Sequence, residues 1–161
     1  VTDAAPLAPS ARRVQAALDA LGLAECRVRE LGVPARTAQE AADALGVPVG
    51  AIAKSLVFRA ASGAAVMVVA AGDRRVDEAK IGAALGEPIG RADAAFVREA
   101  TGYAIGGIPP LGHASALVLF VDASLARFPT VWAAGGTPHA VFPIAPAALF
   151  ALPGARTADV G

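Results

Sequence analysis

Apolar and polar positions run along the chain with two different periods, and their succession predicts one mixed domain. After a Pro-containing start, Val14, Ala17, Leu18 and Leu21 recur at helical spacing, with Ser10 as the expected N-cap and Gly22 as the stop. Residues 26–33 alternate enough for a short strand. Thr37-Ala-Gln-Glu40 has the capping-box pattern and opens a second helix, with Ala41, Leu45 and Val47 on its buried side and Gly46 closing it. A short helical turn from Pro48 leads to Lys54. The apolar runs Ser55–Ala60 and Ala64–Ala71, joined by Ala61-Ser-Gly63, predict a hairpin. Asp77 and Asp93 each stand where a helix cap is needed, the first helix closing at Gly86 and Pro88, the second at Thr101 and Gly102. Tyr103–Gly112 is too rich in Gly and Pro for regular helix. Strand-like runs follow at Ala116–Val121, Thr130–Ala133 and His139–Ile144, and Pro146 suits the first position of a closing helix that reaches Leu152.

The expected fold class is therefore α+β: a single domain whose mixed, mostly antiparallel sheet is curled or barrel-like and surrounded by helices. A length of 161 residues suits one such core. Residues 1–9, with Pro6 and Pro9, are expected to form a flexible arm, and residues 10–161 the domain.

Composition narrows the function classes. Hydrophobic residues make up 55%, but the longest apolar stretch, Ala64–Ala71, is far shorter than the roughly 20 residues of a membrane helix. The opening VTDAAPLAPSARR has no apolar core of a signal peptide, so the expected location is cytoplasmic, away from membranes. A single cysteine, Cys26, excludes an intrachain disulfide and reads as a small buried hydrophobe. The 14 basic and 14 acidic residues cancel, which argues against a protein that grips DNA or RNA by overall charge. Any RNA contact is expected to be local, weak and salt-sensitive.

Two features could carry chemistry. Lys54 sits among Ile52, Ala53, Leu56 and Val57 at a strand entry. Such a lysine either snorkels to water or serves as a fixed cation at a pocket mouth. The run Gly106-Gly-Ile-Pro-Pro-Leu-Gly112 combines glycines, which let backbone amides approach a ligand, with prolines, which stiffen the loop. It is either a rigid turn or a cradle presenting N–H groups to a developing oxyanion. His113 and His139 lack the partners of a metal site, and no phosphate-binding or dinucleotide fingerprint is present, so neither metal nor cofactor is expected. Ser55 follows Lys54 directly, and strand neighbours point to opposite faces, which disfavours a Ser–Lys nucleophile pair. Arg74, Arg75 and Lys80, like Arg12 and Arg13, read as solvated surface charge.

In combination these features are more specific. Ala53-Lys54-Ser55-Leu56-Val57-Phe58, the strand ending in Ala71-Gly72-Asp73, and Thr101-Gly-Tyr-Ala-Ile-Gly-Gly-Ile-Pro-Pro-Leu-Gly112 closely resemble the YbaK/EbsC family, as do Asp122, Ala134-Gly-Gly136 and Ala158-Asp159-Val160. The likeness spans residues 10 to 160. It implies a free-standing aminoacyl-tRNA deacylase related to the editing domain of bacterial prolyl-tRNA synthetase, acting in trans on the ester of a wrong amino acid, typically on proline tRNA. It implies Lys54, Gly106 and Gly107 as catalytic residues. Pro110, Gly112, His113, Gly135 and Gly136 are expected to contact substrate, with Ile108 narrowing the pocket and Ser55 as its nearest polar side chain. Ser55 stands where the alanine-specific branch has Asn, and the Ile-Pro-Pro-Leu-Gly ending resembles more the branch acting on cysteinyl-tRNA of proline type. Alanine, cysteine, serine and 2-aminobutyrate all stay open as the group removed. Prolyl-tRNA synthetase or an elongation factor is the expected means of delivering the RNA. The alternative is a non-catalytic module binding tRNA or a synthetase, and a generic small-molecule hydrolase comes third.

Overall fold

Side-chain caps set most helix starts. The computed structural model describes residues 7–161. In chain order they form α1 (Pro9–Ala20), β1 (Arg29–Glu30), α2 (Ala38–Leu45), β2 (Ile52–Ala60), β3 (Ala65–Ala71), α3 (Glu78–Leu85), β4 (Ile89–Arg91), α4 (Ala94–Thr101), β5 (Val118–Asp122), β6 (Val131–Ala134), β7 (Ala140–Ile144), α5 (Pro146–Phe150) and β8 (Ala155–Ala158). Single 3₁₀ turns lie at Val49–Ala51 and Ala123–Arg127. Thr37 accepts the Glu40 N–H and Glu40 reaches back to the Thr37 N–H, the expected capping box of α2. Asp77 and Asp93 cap α3 and α4 as expected, and left-handed glycines Gly46, Gly86 and Gly102 close α2, α3 and α4.

Ser10 is not an N-cap. The helix starts two residues earlier, at Pro9, because a fixed proline φ and a missing N–H suit the first helical position; Ala8 is the cap residue, without a side-chain bond. Of the expected arm, residues 1–6 fall outside the described residues. Leu7 packs on the core and Pro9 is helical.

The strands form one mixed sheet of eight in the order β1-β7-β6-β2-β3-β5-β8, with β4 beside the later half of β2. The pairs β1–β7, β6–β7, β2–β3 and β2–β4 are antiparallel, while β2–β6, β3–β5 and β5–β8 are parallel. The sheet stays open: its outer strands β1 and β8 do not pair with each other. It is nevertheless curled. Met67, Val69 and Val121 from one half and Ala133, Phe142 and Ile144 from the other meet in a single core, closed by Val14 and Leu18 of α1 and Leu149 of α5. On the outer face, α3 covers Val66, Val68 and Phe120 through Ile81, and α2 covers Ile52 and Trp132 through Ala41 and Ala42. The short strands β4 and β8 carry little apolar alternation and exist by backbone pairing to β2 and β5. No helix among the described residues is long and apolar enough to cross a membrane.

Candidate active site

The site grows from the way β2 enters the sheet. Gly50 and Gly72 allow the 49–51 turn to lie directly against the end of β3. A Cβ at Gly72 would overlap Val49 O, and one at Gly50 would meet Asp73 Oδ2 at 2.9 Å. Gly72 N–H donates to Ile52 O at 2.8 Å. Asp73 is gripped by both Arg127 Nη atoms, at 2.8 and 2.9 Å. This clamp fixes the first residues of β2, and with them Lys54.

Strand β2 has β3 along one edge but two short neighbours on the other. Strand β6 covers only Ile52 and Ala53, and β4 covers only Phe58 to Ala60. Between them the strand is uncovered. Ala60 N–H donates to Ala64 O and Ile52 O accepts from Gly72, so even-numbered residues of β2 direct their backbone groups toward β3. Odd-numbered residues face the other way, which leaves the N–H and C=O of Ser55 and Val57 with no strand opposite. The Ser55 hydroxyl is also buried and has no hydrogen-bond partner among the described residues.

A cavity of about 270 Å³ occupies this split. Lys54, Ser55 and Leu56 form one wall, Trp132, Ala133 and Ala134 of β6 another, Ala35–Ala38 and Ala41 a third, and Ile105, Gly106 and Ile108 the last. Ile105, 60% exposed, stands at the rim. Arg36 lies beside Gly106, where an added Cβ would meet its Cγ at 3.5 Å. Arg29 stacks over Trp132 at 4.9 Å. Lys54 is half-buried and makes no ion pair among the described residues. Burial lowers its pKa from the usual lysine range, while the charges of Asp73 and Asp122 oppose that shift. Both carboxylates are engaged elsewhere: Asp122 accepts from the Ala71 and Ser124 N–H groups, and Asp73 holds Arg127. A larger and shallower hollow of about 720 Å³ lies around Arg59, Asp93, Phe96 and Glu99. Volume does not choose between the two; Lys54, at the only unpaired stretch of β2, does.

Lys54, Ser55, Gly106 and Ile108, all expected in the site, do converge on this cavity. Gly107 does not line it. Its N–H bonds Ala104 O at 3.2 Å, its carbonyl accepts from Gly136 N–H, and a Cβ there would meet the Thr137 backbone at 2.7 Å. Pro110, Gly112 and His113 line a separate cavity of about 280 Å³ with Leu21, Leu117 and Leu152. Gly135 packs on Val28 and Ala140, and Gly136 on Ser10. His139 is exposed. Arg36, Ile105, Ile52, Trp132 and Val141 line the pocket without having been expected there. The lone tryptophan was a visible signal, but an arginine in a loop carries none.

The chain belongs to the aminoacyl-tRNA editing domain family, whose model matches residues 33–152. A solved structure described as a candidate trans-editing enzyme for prolyl tRNA synthetase is 48% identical, with a TM-score of 0.90 over 96% of this chain and 98% of that one. The hypothetical protein APE2540 is 35% identical, with a TM-score of 0.86 over 92% and 98% of the two chains. Protein YwhH of Bacillus subtilis is 35% identical over 119 residues, 74% of this chain and 76% of its own.

Proposed function

We propose that the chain hydrolyses the ester between a small amino acid and the 3′-terminal ribose of a tRNA, with proline tRNA the first candidate, and that it does so in trans. The observation that carries this reading is the placement of Lys54. A half-buried cation without an ion pair among the described residues lines a cavity of about 270 Å³ together with Gly106 and Ile108. Lysine without a partner is retained at such a place for a ligand rather than for the core.

The chemistry needs water held against the acyl carbon. Its oxygen adds to the carbonyl, the ester C–O bond breaks, and the ribose leaves as its hydroxyl with a proton from the water. Lys54 Nζ and the Gly106 N–H, which makes no hydrogen bond among the described residues, are the donors for the developing oxyanion. Ile52, Ile108 and Trp132 restrict the space for the acyl side chain. One methylene in such a pocket is worth only about 1–3 kcal/mol, so neighbouring small substrates should differ by roughly 10- to 200-fold. The test is release of amino acid from a panel of aminoacyl proline tRNAs. Rapid loss of alanyl, cysteinyl, seryl or 2-aminobutyryl groups with prolyl-tRNA spared is the expected result. A preference for bulky aromatic groups would defeat the small-pocket reading, and RNA binding without release would indicate a non-catalytic module.

A further inference from the structure

An aminoacyl ester carries an α-amino group, and the cavity offers it no counter-charge. Its described lining contains two cations, Lys54 and Arg36, and no Asp or Glu. The acids nearby are committed: Glu40 to the backbone N–H groups of Arg36 and Thr37, Asp73 to Arg127, and Asp122 to Ala71 and Ser124. The loop at 105–108 and the strands β6 and β7 bring no titratable side chain to the lining, and Arg29, over Trp132, adds only a further positive charge. An ammonium entering here would be repelled on two sides. What the cavity does offer is the uncovered edge of β2 at Ser55, an N–H beside a C=O, backed by the buried Ser55 hydroxyl, which has no partner among the described residues. A donor beside an acceptor suits a group that both donates and accepts. A neutral amine and a hydroxyl do this; an ammonium only donates.

Given the deacylase reading above, on which this rests, we infer that the site binds its substrate with the α-amino group uncharged, against the open β2 edge at Ser55, and that it therefore accepts α-hydroxyacyl esters as well as α-aminoacyl ones. An α-amino group titrates at about 7.7–8.0 in peptides, and the adjoining ester lowers that further, so the neutral form is accessible near neutrality. The substrate class widens from aminoacyl-tRNA to small acyl esters bearing either group at the α carbon.

The experiment compares alanyl-tRNA with lactyl-tRNA, its α-hydroxy counterpart, on the same proline tRNA from pH 6 to pH 9. Each enhancement is taken as kcat/KM after the spontaneous hydrolysis at that pH has been subtracted. Lys54 and all other protein groups act alike on both esters, so the quotient of the two enhancements isolates the amine. That quotient should climb by roughly tenfold per pH unit below the amine pKa and level off above it, with lactyl-tRNA the better substrate at pH 6. If another member of the panel is preferred to alanine, its own α-hydroxy counterpart takes the place of lactate. A quotient that is flat or falls with pH, or a lactyl enhancement more than about 100-fold below the alanyl one at pH 6, would overturn the inference while leaving the deacylase intact. Failure to cleave any ester in the panel removes the parent reading, and this one with it.

Discussion

Gly106–Ile108 and Pro110–His113 are successive pieces of one Gly/Pro-rich run, yet they face different parts of the molecule. Gly106 has a φ of 103° and a backbone N–H that makes no hydrogen bond among the described residues, and with Ile108 it lines the cavity that Lys54 also lines. The later piece is bound down. A Cβ at Gly112 would meet the Ala17 Cβ of α1 at 2.9 Å, Tyr103 donates its hydroxyl to Gly112 O at 3.3 Å, and His113 Nε2 lies 2.8 Å from Pro109 O. Gly107 joins the two pieces and is locked to Ala104, Gly136 and Thr137. A free donor aimed at a ligand is useful only where its support does not move. The difference teaches that one motif can split its labour: the head lines the cavity, and the tail packs against the rest of the fold.

The sharpest break in this comparison comes from Lys54→Ala. The side chain lines the cavity and has no ion pair among the described residues to lose, so turnover should fall by at least about 100-fold, an effect of the size seen when a transition-state donor is removed. Thermal melting should hardly move. Retained turnover would remove Lys54 from the chemistry, and a collapsed melt would make it a structural lysine.

Gly107→Ala is expected to act the other way. The new Cβ would press on Thr137 backbone, which cannot swing aside as a side-chain tip can, so the fold should lose about 1–3 kcal/mol. Denaturant unfolding measures this directly. A variant as stable as the parent would show that the joint is softer than its packing implies.

The smallest effect concerns pH and the tail. Burial lowers the His113 pKa from the usual histidine value, with the Pro109 contact opposing. The unfolded chain then takes up the proton first as pH falls. The stability this confers is fully present above about pH 6.5 and is lost as pH drops through the lowered folded value. Between pH 7.5 and 5.5 the parent should lose about 1–3 °C more in Tm than His113→Gln does. Asp73, whose pKa is lowered chiefly by its hydrogen bonds to Arg127, contributes only at more acid pH. Equal slopes for parent and variant would detach His113 from the acid response of the tail.

Local chemistry made much of this molecule legible in the sequence. The Thr37–Glu40 box, the caps Asp77 and Asp93, the glycine stops and the 52–71 hairpin all depend on neighbours a few residues apart, so they can be read one segment at a time. Lys54 and the Gly106 run could be nominated because a lysine in an apolar strand and a stiff glycine loop are locally unusual. The start of α1 lies two residues before the one Ser10 suggests, since Ser10 and Pro9 are both good openers and the cap falls on Ala8, with Leu7 just before it packed on the core. What the tertiary structure alone decided is the cavity. It exists because β6 stops covering β2 at Ala53 and β4 begins only at Phe58, a gap set by strand pairings across distant parts of the chain. The same pairings bring Arg36 and Trp132 to one wall and send Pro110, Gly112 and His113 to another cavity, because strand order and register, not sequence proximity, determine which side chains share a space.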